Sequence, residues 1–210
     1  MSLFKRNDST RAPRPSRQSP RSSSGWGEIL ALLKDRDELR VLDFGATSSA
    51  NINYLTSLGH SVYMANIVED AAKPEWRMAS AERSVTVFDI ERFVATNLDF
   101  SGRDFDVVLL WDTADYLPPE VVPALFEKMW SSLRLHGRLL AFFHGQADGP
   151  ECSFARYQLT DSKDLVLLPA APFPIQKTYH VRQIEGYLKG YADVRFFLGK
   201  DNIREVIATR

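Results

Sequence analysis

One cysteine in 210 residues, Cys152, leaves no partner for an intrachain disulfide and no cysteine set for a zinc site. No apolar run approaches the ~20 residues of a membrane-spanning helix. The first residues hold no apolar stretch of signal-peptide length. Together these absences predict a cytoplasmic protein, in a compartment where thiols stay reduced. An excess of one charge is also missing. Lys and Arg number 26 against 27 Asp and Glu, so bulk charge predicts no polyanion partner. At 44% hydrophobic residues, the chain is long enough to bury a core of its own.

The composition is uneven along the chain. Residues 5–24 (KRNDSTRAPRPSRQSPRSSS) contain no Val, Ile, Leu or aromatic residue. Such a stretch cannot bury enough apolar surface to offset its ordering entropy, which predicts a disordered basic tail over 1–24. Up to Arg21 there are six basic residues against Asp8 alone, so the remainder is net acidic. The tail reads as a solubilising extension. Its arginines are the only place where nucleic acid, anionic lipid or a kinase acting at Ser19-Pro20 would be met. Residues 25–210 form one domain.

In that domain the hydrophobic period alternates between strand and helix. Ile29, Leu30, Leu32 and Leu33 form a helical stripe. Arg40–Gly45 (RVLDFG) is a buried strand ending at a glycine, Asn51–Leu58 a helix stopped by Gly59, and Ser61–Ile67 a second strand. Pro74–Arg83 reads as a helix, Ser84–Phe88 as a third strand, and Glu91–Leu98 as a short helix. Phe105–Trp111 (FDVVLLW) is nearly all apolar, as a strand covered on both faces should be. Pro118 and Pro119 open a helix running to Leu133, and Arg138–Phe143 (RLLAFF) is a fifth strand. Strands separated by helices make βαβ units and a parallel sheet. The end of the chain breaks this rhythm. Residues 157–159 and 165–168 read as a hairpin, and Val181–Leu188 as a helix. Strands Val194–Leu198 and Arg204–Ala208 are joined by five residues only, a link too short for a parallel crossover.

This order, with Val41-Leu42-Asp43-Phe44-Gly45-Ala46-Thr47 closing the first strand, resembles the class I S-adenosylmethionine-dependent methyltransferases from Trp26 to the end. The resemblance also rests on Ala65-Asn66-Ile67 after strand two, Phe88-Asp89-Ile90 after strand three, and Phe105–Asp112 with Leu133–Leu140 around strands four and five. It implies a three-layer, Rossmann-like α/β fold. The implied sheet has seven strands in the order 3-2-1-4-5-7-6, mostly parallel, with strand seven reversed. It also implies S-adenosyl-L-methionine as cofactor and in-line methyl transfer to an acceptor that the sequence does not identify. Ligands of open α/β sheets sit beyond the carboxyl ends of the strands. The implied cofactor-binding residues are Asp43, Gly45, Ala46, Thr47, Asn66, Asp89, Ile90 and Trp111, with Asn66 at the ribose, Asp89 at the adenine edge, and Ile90 or Trp111 over the ring. Candidate catalytic residues on the acceptor side are Asp112, Tyr116 and His144. No metal site is called. Residues 145–180 form a substrate-side insertion that carries Phe154, Arg156, Tyr157, Phe173, Lys177, Tyr179, His180 and Arg182.

Two departures from the family pattern stand out. Its loop carries three glycines at alternate positions, where this chain has Gly45, Thr47 and Ser49. Asn66 stands where an acidic residue is usual, which removes a charge-assisted hydrogen bond. An alternative reading is therefore a non-catalytic, methyltransferase-like binding or scaffold protein. A nucleotide-linked oxidoreductase would share Gly45-Ala46-Thr47-Ser48-Ser49-Ala50, but the missing middle glycine and the antiparallel C-terminal pair oppose it. The bland readings are capping for Asp89 and Asp112, core packing for Trp111, and a solvated loop for His144.

Overall fold

The computed structural model describes residues 20–79, 86–100, 102–147, 154–199 and 201–210. Residues 1–19 of the tail, Cys152, and parts of the expected 74–83 helix and third strand lie outside them. Among the described residues no helix is long and apolar enough to cross a membrane.

Six strands make the central sheet: β2 (Arg40–Asp43), β3 (Ser61–Met64), β6 (Phe105–Trp111), β7 (Leu133–His144), β10 (Asp193–Leu198) and β11 (Ile203–Thr209). Their order is β10-β11-β7-β6-β2-β3. The β3, β2, β6 and β7 strands run parallel, and β11 is antiparallel to both β7 and β10. The expected order and the reversed last strand are therefore present, but among the described residues the sheet has six strands rather than seven. The missing member is the expected third strand. Thr86–Phe88 (β5) pairs instead with Arg77–Ala79 (β4) in a separate ribbon. The cause is Trp76. Pro74–Trp76 is only a 3-10 turn, and the Trp76 ring buries against Phe93, which also meets Phe88. Trp76 Nε1 donates to the Asp70 carbonyl at 2.7 Å, and the Asp89 amide donates to the Trp76 carbonyl at 2.7 Å. The second of these bonds ties the end of β5 to this turn, and the first ties the turn back to the helical segment Ile67–Ala71.

Apolar side chains on both sheet faces bury two cores. One face is covered by α1 (Ser24–Asp35) and α2 (Ser49–Ser57). The other is covered by α3 (Ile67–Ala71), α4 (Ile90–Asn97), α6 (Val122–Ser132) and α7 (Val181–Tyr187). Local signals set the helix starts. Ser23 accepts from the Trp26 amide at 2.9 Å and Ser48 from the Asn51 amide at 3.3 Å. Gly59, at φ +86°, takes the left-handed turn after α2. The expected 118–133 helix is present as α6 (Val122–Ser132), which begins just after Pro118 and Pro119, and a separate single turn, α5 (Thr113–Tyr116), precedes it. The expected hairpin is present as β8 (Ala155–Gln158) and β9 (Asp164–Pro169).

The tail boundary needs correction. Pro20–Ser22 (β1) pairs with β9, and Ser24 already belongs to α1. Arg21 is buried, donates from Nη1 to Glu205 at 2.7 Å, and lies over the Phe142 ring. Glu205 also accepts from Ser23 Oγ at 2.9 Å and from the Gly25 amide at 2.6 Å. A composition without apolar residues is thus held by one buried carboxylate that it saturates with hydrogen bonds.

Candidate functional site

The strand mouths are organised around Asp43, at the end of β2 and fully buried. Its Oδ1 accepts from the Gly45 amide at 2.9 Å and from Trp111 Nε1 at 2.7 Å, and its Oδ2 lies 3.5 Å from Asn51 Nδ2. Burial raises the Asp43 carboxyl above the ordinary range, against the pull of these donors. Trp111 ends β6 at φ +50°, a conformation that a bulky residue adopts only under constraint. The constraint is visible. The β6–β7 register slips between Leu109 and Trp111, the indole stacks on Tyr157 at 5.0 Å and 13°, and its N–H is tied to Asp43. Trp111 is therefore core, packed against Tyr157 and Phe142, and does not cover a ligand face. Gly45 serves the same packing, since a Cβ there would come within 3.0 Å of Asp43 Oδ1 and 3.4 Å of the indole.

The hairpin crosses this hub. Asn51 Nδ2 donates to the Tyr157 carbonyl at 2.9 Å, and its Oδ1 accepts from the Leu159 amide at 3.0 Å. Arg156 Nη1 donates to the Thr47 carbonyl at 3.1 Å. Val68, Tyr116 and Phe154 form a small cluster with Phe173 and Ile175, so the insertion spans from the β3 side to α5.

The three catalytic candidates do come together, all buried. The Tyr157 hydroxyl donates to Asp112 Oδ2 at 2.9 Å, and His144 Nε2 lies 4.0 Å from the same oxygen. Asp115 Oδ2 accepts from the His144 amide at 2.7 Å and faces His144 Nδ1 at 2.8 Å. A carboxylate oxygen that also accepts from the backbone amide holds the imidazole ring in one orientation. Tyr116 stands edge-on to the His144 ring at 5.9 Å. Burial pushes Asp112 up to about 6 and also raises Asp115. His144 is thus no solvated loop residue.

The remaining positions lie along the rim. Asp89 caps α4 through the Arg92 amide at 3.1 Å, and Ile90 packs half-buried against the core. Asn66 precedes α3, yet its side chain makes no capping bond, and its Oδ1 is buried without a hydrogen-bond partner. Arg156 Nε and Asp115 Oδ1 are buried and unpartnered as well. Native proteins leave few such atoms, and each calls for an explanation. An acceptor stands alone at the β3 mouth and a donor beside the loop after β2. That polarity would be satisfied by a ligand that carries both hydroxyl donors and an anionic group. Sequence reasoning missed Asn51 and Asp115. Both are polar residues on otherwise ordinary helical stretches, and neither their spacing nor their neighbours mark them.

No family model matches the chain, and no curated protein matches it significantly in sequence. Solved structures do resemble it. TehB from Haemophilus influenzae matches at 17% identity and TM-score 0.50, over 88% of this chain and 62% of that one. This chain therefore spans less than two thirds of that protein. Magnesium protoporphyrin IX methyltransferase from Synechocystis, solved with bound S-adenosylmethionine, matches at 15% identity and TM-score 0.46, over 87% and 76% of the two chains. A Burkholderia thailandensis 1,6-didemethyltoxoflavin N1-methyltransferase, solved with bound 1,6-didemethyltoxoflavin and S-adenosylhomocysteine, matches at 15% identity and TM-score 0.44, over 90% and 79% of the two chains. With the strand order and the reversed final strand, the chain has the fold of the class I S-adenosylmethionine-dependent methyltransferases.

Proposed function

We propose that the protein is a cytoplasmic S-adenosylmethionine-dependent methyltransferase. The observation that carries this reading is the set of unpartnered buried polar atoms at the strand mouths, Asn66 Oδ1, Arg156 Nε and Asp115 Oδ1. Each such atom destabilises the fold by about 1–3 kcal/mol unless something else satisfies it. Asn66 would accept from a ribose hydroxyl, Ile90 would flank the adenine, and Asp89 would stand at its edge. The cofactor supplies a methyl group already made electrophilic by its sulfonium. The chain then needs only to align an acceptor, exclude water and, where the acceptor is protonated, remove a proton. His144 is the base in this reading. Asp115 positions it, and Tyr116 with Phe154 walls the acceptor side. The insertion that buries these groups has to open for an acceptor to enter.

Calorimetric titration of the full chain with S-adenosylmethionine and S-adenosylhomocysteine tests this. Saturable binding is expected, weakened roughly 5- to 10-fold by Asn66→Ala, as for loss of one neutral hydrogen bond. One observation favours the non-catalytic reading instead: Trp111 and Asp43 crowd Gly45, while Thr47 and Ser49 replace glycines. No binding by the native chain, with binding gained on combining Thr47→Gly and Asn66→Asp, would establish that reading. No binding by either protein removes the cofactor from the account.

A further inference from the structure

We infer that the inserted hairpin supplies this crevice with its carboxylate clamp, Arg156. The inference rests on the cofactor reading above and deepens it. Arg156 lies on β8 next to Tyr157, whose side chain is locked between Trp111 and Asp112. Neighbouring residues of a strand project to opposite sides. Locking Tyr157 therefore holds Arg156 over the loop that follows β2. There Nη1 donates to the Thr47 carbonyl at 3.1 Å, while Nε is buried with no acceptor. A guanidinium presents a planar fork of donors, and a carboxylate is the group that meets such a fork with two parallel hydrogen bonds. Thr47 directly precedes Ser48, the N-cap of the nine-residue α2, so an anion at this loop also meets the positive end of a helix.

The assignment explains how the loop can lack two glycines. Glycines let backbone amides approach an anion closely. Thr47 and Ser49 forgo that approach, and a charged side chain from another part of the chain would take over the contact. The ligand class at this end is a carboxylate, specifically the α-carboxylate of the cofactor's amino-acid arm.

The test compares S-adenosylmethionine with its decarboxylated form, which keeps the nucleoside, the sulfonium and the amine. Both are titrated calorimetrically into the native full chain, Arg156→Ala and Arg156→Lys, with a thermal melt of each protein as the check on folding. Arg156→Ala is expected to weaken S-adenosylmethionine roughly 10- to 100-fold, the range for a hydrogen bond to a charged group. It should leave the decarboxylated ligand within about 2-fold. Arg156→Lys should fall between, since an ammonium keeps the charge and loses the fork. The native chain should prefer S-adenosylmethionine over the decarboxylated ligand. Equal weakening of both ligands by Arg156→Ala, or no weakening of either, overturns the clamp and leaves the cofactor reading standing. Binding of neither ligand by the native chain overturns both.

Discussion

Asp43 and Asn66 sit at the ends of adjacent strands and differ in how the chain treats them. Asp43 is buried with both oxygens engaged, one by Gly45 and Trp111, the other facing Asn51. Glu205 is a second saturated node, holding Arg21, Ser23 and Gly25. Asn66 and Arg156 are left with a buried atom unpaired. A saturated carboxylate rigidifies its surroundings, whereas an unsatisfied group is a standing cost to the folded state. The nodes therefore hold the hairpin, the tail and the sheet together, and the rim is where a ligand would add stability rather than compete for partners.

Breaking a node should have the largest effect. Arg21→Ala leaves Glu205 buried without its cation and is expected to cost about 3–5 kcal/mol in urea denaturation. Removal of residues 1–23 should cost at least as much, while a loss below about 1 kcal/mol would mean that the β1 contact contributes little. Asp43→Asn keeps the volume but turns one acceptor into a donor facing N–H groups. A loss of about 1–3 kcal/mol is expected, with a blue-shifted or quenched Trp111 emission as its local sign.

Acidity probes the cluster between node and rim. Asp112 titrates at about 6 in the fold because it is buried, against ~3.9 when exposed. A carboxyl raised in the native state adds stability when protonated. That contribution is complete below about pH 4 and disappears as the pH rises through 6. Asp43 and Asp115 are raised in the same direction by the same cause. The protein should therefore be more stable at pH 5 than at pH 7.5, by about 1.4 kcal/mol from Asp112 alone. Asp112→Asn should remove that share, and an unchanged profile in this variant would place the titration elsewhere. The smallest effect belongs to the rim. Asn66→Ala should stabilise the unliganded protein by about 1 kcal/mol in the same urea denaturation, the low end of the range for an unsatisfied buried acceptor, because it deletes that acceptor. A clear loss would mean that Asn66 is structural.

Much of this molecule is decided locally and could be read from the residues alone. The apolar run Phe105–Trp111, Gly59 after the second helix, and the five-residue link before Arg204 each act over a few positions. The reversal of the last strand follows from such a piece, whereas the strand order was implied only by the resemblance to a known family. Tertiary structure decided the rest. The strand at 86–88 left the sheet because Trp76 drew it into a ribbon with residues 77–79. Pro20–Ser24 joined the fold because Glu205, some 180 residues away, offered a buried carboxylate. Trp111 became core because Tyr157 arrived from the insertion to stack on it. Asn51 and Asp115 acquired their roles from distant partners in the same way. Periodicity, caps and turns are short-range properties written in neighbouring residues. The pairing of buried polar groups depends on which segments meet, and only the folded chain brings those segments together.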